Sequence, residues 1–396
     1  MVIFEKIKLL LVKFFYRFTK KDKNLWVFGE WYAKKICDNS LYLANYVAEN
    51  YPEIKLVWIT DEGTDLSLLN PNIQVMIRKT KESKKILKKA SVIIVNQCMF
   101  DVNDENANYY GGSLVLNLWH GVPWKKILMD AEKYSSKFRK LFSEISYRYL
   151  GVNNYIALSD DYRDILKRCT TVKDKNIINA GYPRNSLFYD EKIVAEKREK
   201  VVKLINETFN QNFSDVKIIT YMPTFRDKDR EVFSFNQIKD NENLNKILAE
   251  NNAIIVEKSH FKYSENSSEG AVSDKIFNIN NISAQELLAA SDMLITDYSS
   301  CFFDFLILDR PIIHYLYDYE YYVNDDRGVY YQKEEVCCGD VAEKVDELIN
   351  YIALNLEEHG RNRQLREIRK EKFIKYESSD SCQIICDYIF NKIGKK

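Results

Sequence analysis

The chain has 396 residues, 46% of them hydrophobic and 13% aromatic, which is too long for one ordinary core and rich enough to fill two. Lys+Arg and Asp+Glu balance at 58 each, so no overall field favours nucleic acid, and charge has to be read locally. Eight cysteines form neither a C-x-x-C pair nor a Cys/His cluster at zinc spacing, which argues against a disulfide framework, leaves no metal ligand set and fits a reduced, cytosolic compartment.

The first segment, MVIFEKIKLLLVKFFYRFTKK, is interrupted by lysine too often for a membrane span or a signal peptide. At helical spacing Ile3, Phe4, Ile7, Leu11, Phe14, Phe15 and Phe18 share one face, and Lys6, Lys13, Arg17 and Lys20 share the other. Residues 1–22 are therefore expected to form a basic amphipathic helix on an anionic membrane surface. A surface helix packed on the body is the plainer alternative.

From residue 25 short apolar runs alternate with amphipathic stretches, the pattern of βαβ units. Strands are expected at 25–29, 55–60, 73–77, 91–97, 114–120, 154–159 and 176–183, with helices at 39–49 and 81–90. After a charged helix at 190–208 the alternation restarts, with strands at 216–225, 253–260, 293–297 and 311–317. This predicts two doubly wound α/β domains, 23–185 and 186–375, and a last helix in 376–396 that returns to the first domain or stands apart.

Ligands of open α/β sheets bind outside the carboxyl ends of strands, and four polar clusters fall there. WHGVPWKK places His120 beside Gly121; an imidazole there is able to take a proton from an attacking hydroxyl, and glycine permits close backbone approach. YMPTFRD offers Thr224 and Arg226, and EKSH offers Lys258 and His260, groups suited to phosphate oxygens. TDYSS sets Asp297, Ser299 and Ser300 before an expected helix, 299–308; the plain reading is a helix cap, and the sharper one a phosphate site with Asp297 on a ribose or substrate hydroxyl. His314, inside an apolar run, reads as structural, and His359 as an exposed helix end. No Walker loop, G-x-G-x-x-G fingerprint or H-E-x-x-H helix occurs, which removes ordinary ATPases, dinucleotide enzymes and zinc hydrolases.

Taken in order, WHGVPWKKI, GYPRNS, YMPTFRD, ITDYSSCFFDFLILDRPIIHYLYD and the pair Arg327–Gly328 resemble the CDP-glycerol glycerophosphotransferase family over roughly residues 25–375. The resemblance implies a GT-B fold, two Rossmann-like domains facing a cleft. The first would take the acceptor and the second the CDP donor. It implies transfer of glycerol phosphate from CDP-glycerol to an undecaprenyl-diphosphate-linked disaccharide, with release of CMP, at the cytoplasmic membrane face. No cofactor is implied.

His120 and His260 are the implied catalytic pair. Gly121, Arg184, Thr224, Arg226, Lys258, Asp297, Ser299, Ser300 and Arg327 are the implied substrate contacts. Phe261 stands where the family has proline after the second histidine. Chain length is primase-like. A polymerase, a CDP-ribitol donor, a nucleotide-sugar glycosyltransferase and a non-catalytic scaffold are the alternatives, and a homo-oligomer or a complex with other teichoic-acid enzymes is left open.

Overall fold

The computed structural model describes residues 2–103, 110–131, 137, 140–141, 143–145, 152–224, 226, 232–258, 270–325, 328–358 and 360–394. The chain divides into two compact units, one of Met1–His120, Ile127–Ser186 and Phe373–Lys396, the other of Gly121–Lys126 and Leu187–Lys372.

The first unit holds a seven-stranded sheet of β1 (Asp22–Phe28), β2 (Lys55–Thr60), β3 (Gln74–Ile77), β4 (Ala90–Val95), β5 (Leu114–Asn117), β6 (Asn154–Ala157) and β7 (Ile177–Asn179). Every pairing is parallel and the order is β3-β2-β1-β4-β5-β6-β7, so strand order reverses between β1 and β4. Parallel strands are covered on both faces, and β4 is buried along its whole length. Helices cross over between strands and start at side-chain caps: Asp38 accepts from the Asn39 N–H, Thr80 from that of Ser83 and Ser159 from that of Tyr162. The helix Ser381–Ile393 packs in this unit, where Phe390 lies 5.3 Å from Trp26 and the Tyr388 hydroxyl donates to Asn154 at 2.7 Å.

The second unit repeats the plan with β8 (Lys217–Met222), β9 (Ala253–Glu257), β10 (Gly270–Ser273), β11 (Ile276–Asn278), β12 (Met293–Thr296), β13 (Ile312–Tyr315) and β14 (Asp340–Ala342). Its order is β10-β11-β9-β8-β12-β13-β14, parallel except for the β10–β11 pair, and it reverses between β8 and β12. Alternate residues fill two cores. Ile219, Tyr221 and Ile255 face one, and Ile218, Ile254 and Val256 the other.

The N-terminal helix spans Val2–Tyr16. Ile7, Leu11, Phe14, Phe15 and Phe18 are exposed. Lys13, expected on the solvent-facing basic side, instead turns inward with its ammonium 4.9 Å from the Tyr110 ring centroid. Burial lowers its pKa to about 8. The helix lies this way round because Gly111 leaves room for its backbone: a Cβ there would sit 1.9 Å from the Lys13 carbonyl. Among the described residues no helix is long and apolar enough to cross a membrane.

Candidate functional site

In the first unit the loop after β5 carries the first histidine motif. Asn117 accepts from the Trp119 N–H at 2.8 Å, and Trp119 sits at φ 57°, a left-handed conformation costly for an aromatic residue. The Asn39 amide holds it there by donating to the Trp119 carbonyl at 2.9 Å. The His120 ring stacks on Trp119 at 4.9 Å between centroids and meets Trp31 at 5.8 Å.

Glu30, Trp31, Asp38 and Asn96 around this loop follow the carboxyl ends of β1 and β4, where strand order reverses, and Arg184 follows β7. Arg184 donates from one nitrogen to Asp38 at 2.7 Å and to the His120 carbonyl at 3.1 Å. Asp38 also accepts from the Asn96 amide at 2.9 Å and the Trp31 indole at 3.1 Å. Behind it the buried Glu30 accepts from the Cys37 and Asp38 N–H groups. Burial, and then the nearby Asp38 charge, push the Glu30 carboxyl well above the usual range.

His120 is half-buried as a residue, while its Nδ1 is buried and makes no hydrogen bond among the described residues. Burial pushes its pKa down to about 4; Asp38 opposes this, Arg184 adds to it, and the Asn96 backbone weakly favours protonation. The imidazole is neutral near pH 7.

In the second unit the reversal between β8 and β12 gathers the other motifs. Asp297, fully buried, accepts from the Thr224 N–H at 2.8 Å and the Tyr298 N–H at 2.6 Å with one oxygen and from Arg226 at 2.8 Å with the other. Asp318 takes Arg226 at 2.7 and 3.1 Å and the Tyr298 hydroxyl at 2.9 Å. Burial alone would lower the Arg226 pKa, but Asp297 and Asp318 outweigh it and raise it further. Tyr298 stacks on Tyr322 at 3.4 Å, and Lys125 lies 4.0 Å from the Tyr322 centroid. Gly121 also belongs here: a Cβ on it would lie 2.1 Å from the Ser300 hydroxyl, so glycine is what lets the two motifs touch.

The helix expected at 299–308 is shorter, Cys301–Phe305 followed by a 3₁₀ turn, Leu306–Leu308. Ser300 stands at its N-cap without a side-chain cap bond. A five-residue helix carries little dipole, so any anion there must rely on the hydroxyls. The Lys258 ammonium donates to the Asn280 carbonyl at 2.9 Å, and the Thr224 hydroxyl is buried without a partner among the described residues. His314 is buried, accepts from the Cys338 N–H at 3.1 Å and is structural.

Arg184 and Arg226, expected to contact substrate, are each sequestered in a buried ion pair. The physical reason is burial itself, since a guanidinium removed from water needs carboxylate partners. His260, Phe261, Arg327 and His359 lie outside the described residues. Glu30, Asp38, Asn39, Asn96 and Asp318 were not singled out from sequence. Asp38 and Asn39 had the signal of a helix start, but their partners lie at residues 184 and 119.

The profile of the CDP-glycerol:poly(glycerophosphate) glycerophosphotransferase family matches residues 11–391. The chain belongs to this family. It is 26% identical over 346 residues to a teichoic acid poly(glycerol phosphate) polymerase of Bacillus spizizenii, covering 84% of each chain. It is 26% identical over 379 residues to a teichoic acid glycerol-phosphate transferase of Staphylococcus aureus, covering 93% of each. In fold it is similar to the wall teichoic acid polymerase TagF, with a TM-score of 0.78, 22% identity and coverage of 98% of this chain and 94% of that one. The α/β fold with parallel sheets is thus GT-B-like.

Proposed function

We propose that this protein transfers glycerol phosphate from CDP-glycerol to a hydroxyl of an undecaprenyl-diphosphate-linked saccharide and releases CMP. The acceptor hydroxyl gives its proton to His120 as its oxygen forms a bond to the β-phosphorus; the bond from that phosphorus to the bridging oxygen breaks, and the electron pair leaves with CMP. What carries this reading is His120, a neutral imidazole wedged between two tryptophans on the histidine motif of the family.

A base whose pKa is near 4 is weak in the protein alone; the negative diphosphate of a bound donor raises it toward neutrality. His260 and Arg327 assist charge at the diphosphate, together with the hydroxyls of Ser299, Ser300 and Thr224, the ammonium of Lys258 and close approach at Gly121. Arg184, Arg226 and Asp297 hold the loops that present them. Incubation with CDP-glycerol and a synthetic lipid-linked disaccharide tests the proposed transfer by product mass. One added glycerol phosphate supports a primase, a ladder makes it a polymerase, and no addition overturns the donor or the acceptor.

The N-terminal helix docks the protein on the membrane that holds the acceptor. Five exposed apolar side chains, Ile7, Leu11, Phe14, Phe15 and Phe18, lie among exposed Lys8, Arg17 and Lys20. Sedimentation with anionic vesicles is expected to weaken as salt rises and to fall sharply for Phe14→Ser/Phe15→Ser. Binding unchanged in that variant would place the membrane surface elsewhere.

A further inference from the structure

The Arg184 nitrogen that pairs with Asp38 also holds the His120 carbonyl, so one buried guanidinium links a carboxylate to the backbone of the reactive loop. Both sides of the pair are almost completely enclosed, at 6% side-chain exposure each. The same short segment that supplies Asp38 supplies Asn39, whose amide clamps the left-handed Trp119 carbonyl and whose oxygen accepts the Arg184 N–H at 3.2 Å. Two consecutive residues at one helix start thus govern two consecutive carbonyls, those of Trp119 and His120.

We infer that the buried Asp38–Arg184 pair is a positioning device for His120, which fixes the loop and sets the charge that the ring meets. The inference rests on the reading of His120 as the base. Asp38 and Arg184 are the charged groups that act on the ring, with opposite signs. Glu30 after β1 adjoins Asp38, Asp101 after β4 adjoins Glu30, and Cys37 and Lys35 lie on the loop before Asp38. Burial favours the uncharged imidazole, and Arg184 adds to it by matching the carboxylate. Without it an unmatched carboxylate faces the ring and favours imidazolium, which cannot accept a proton.

The test is an NMR titration of the four histidines in the full chain, with the His120 signal identified by its loss in His120→Gln. In the wild type His120 is expected not to titrate between about pH 5 and 8. In Arg184→Gln its midpoint should rise by at least about one pH unit, into that window, and the acid limb of kcat/KM should rise with it. Arg184→Lys, which keeps the charge, should keep the wild-type titration.

A folded Arg184→Gln protein whose His120 still does not titrate overturns the inference, as does Arg184→Lys behaving like Arg184→Gln. Should Arg184→Gln fail to fold, Asp38→Asn decides. Its ring must remain uncharged over the window while turnover drops about tenfold, and an upward shift overturns the device. The titration is read without turnover. A shifted midpoint in a protein that releases no CMP from CDP-glycerol would therefore sink the proposed reaction and leave the device standing.

Discussion

Asp38–Arg184 in the first unit and Asp297–Arg226 in the second hold the same station in two doubly wound sheets. Each carboxylate lies on the loop leaving a strand that flanks the reversal of strand order, β1 in one and β12 in the other. They differ in what the guanidinium does with its remaining donors. Arg226 gives them to a second carboxylate, a tyrosine hydroxyl and the Thr224 carbonyl, which closes the cluster on itself. Arg184 gives one to the backbone of a neutral histidine. Among the described residues these two buried ion pairs hold loop geometry, one beside an uncharged imidazole and the other beside the Thr224 hydroxyl.

The largest effect expected from this contrast is on rate. His120→Ala should lower turnover by about 10²–10⁴-fold while leaving the fold intact, since only a half-buried ring is lost. Steady-state CMP release on protein with an unchanged melting curve checks it, and near-normal turnover would take His120 out of the mechanism. Arg226→Met should show the opposite profile. It strands the buried Asp297 and the half-buried Asp318, so a loss of about 3–5 kcal/mol of stability is expected in urea melts. An unchanged melt would mean that the arginine is free to serve the donor directly.

These differences also explain what the sequence disclosed. Short apolar runs and amphipathic stretches were legible: β2 falls at Lys55–Thr60 as expected, and the helix Lys81–Lys89 within one residue. Strand ends ran long where polar chemistry takes over. β5 stops at Asn117 because its side chain turns the backbone back at Trp119, and β8 stops before Pro223, which has no N–H to offer the ladder. The edge strands β10 and β14, and β11 beside β10, were not foreseen, being three or four residues long with little apolar pattern. The motifs marked the histidine and the serines. They did not reveal that both arginines are sequestered, because pairs separated by 146 or 71 residues exist only after folding.

A smaller effect tests whether buried carboxyls without a cation behave differently from the paired ones. Glu257, at the end of β9, accepts from the Phe235 N–H at 3.1 Å and the Ser234 hydroxyl at 3.0 Å. Burial raises its pKa to about 7, against those two donors, which lower it. A folded pKa above the unfolded one means that the native state holds the proton longer. Its contribution is complete below about 4.5 and is lost as pH rises through about 7. Glu257→Gln cannot ionise, so its stability relative to wild type should improve across that window, by up to roughly 3 kcal/mol. Melts at the two ends of the window decide it, and a difference independent of pH would show that Glu257 ionises as if exposed.

The smallest effect concerns Ser299 and Ser300, and it separates the two readings of their turn. Were they helix caps, their loss would cost about 1 kcal/mol of stability and leave the donor alone. Ser300 makes no side-chain cap bond, and the turn is held instead by Asp297, through the N–H groups of Thr224 and Tyr298. The Ser300 hydroxyl is directed at Gly121, and Ser299 acts on the Cys301 thiol. Ser299→Ala/Ser300→Ala should therefore melt within about 0.5 kcal/mol of wild type, as a change away from caps and core does. Its affinity for CDP-glycerol, by calorimetry, should fall about tenfold, the worth of one hydrogen bond to a charged phosphate oxygen. Lower stability with full affinity would return the two serines to a structural role, and the donor's phosphates would then depend on Thr224, Lys258, His260 and Arg327.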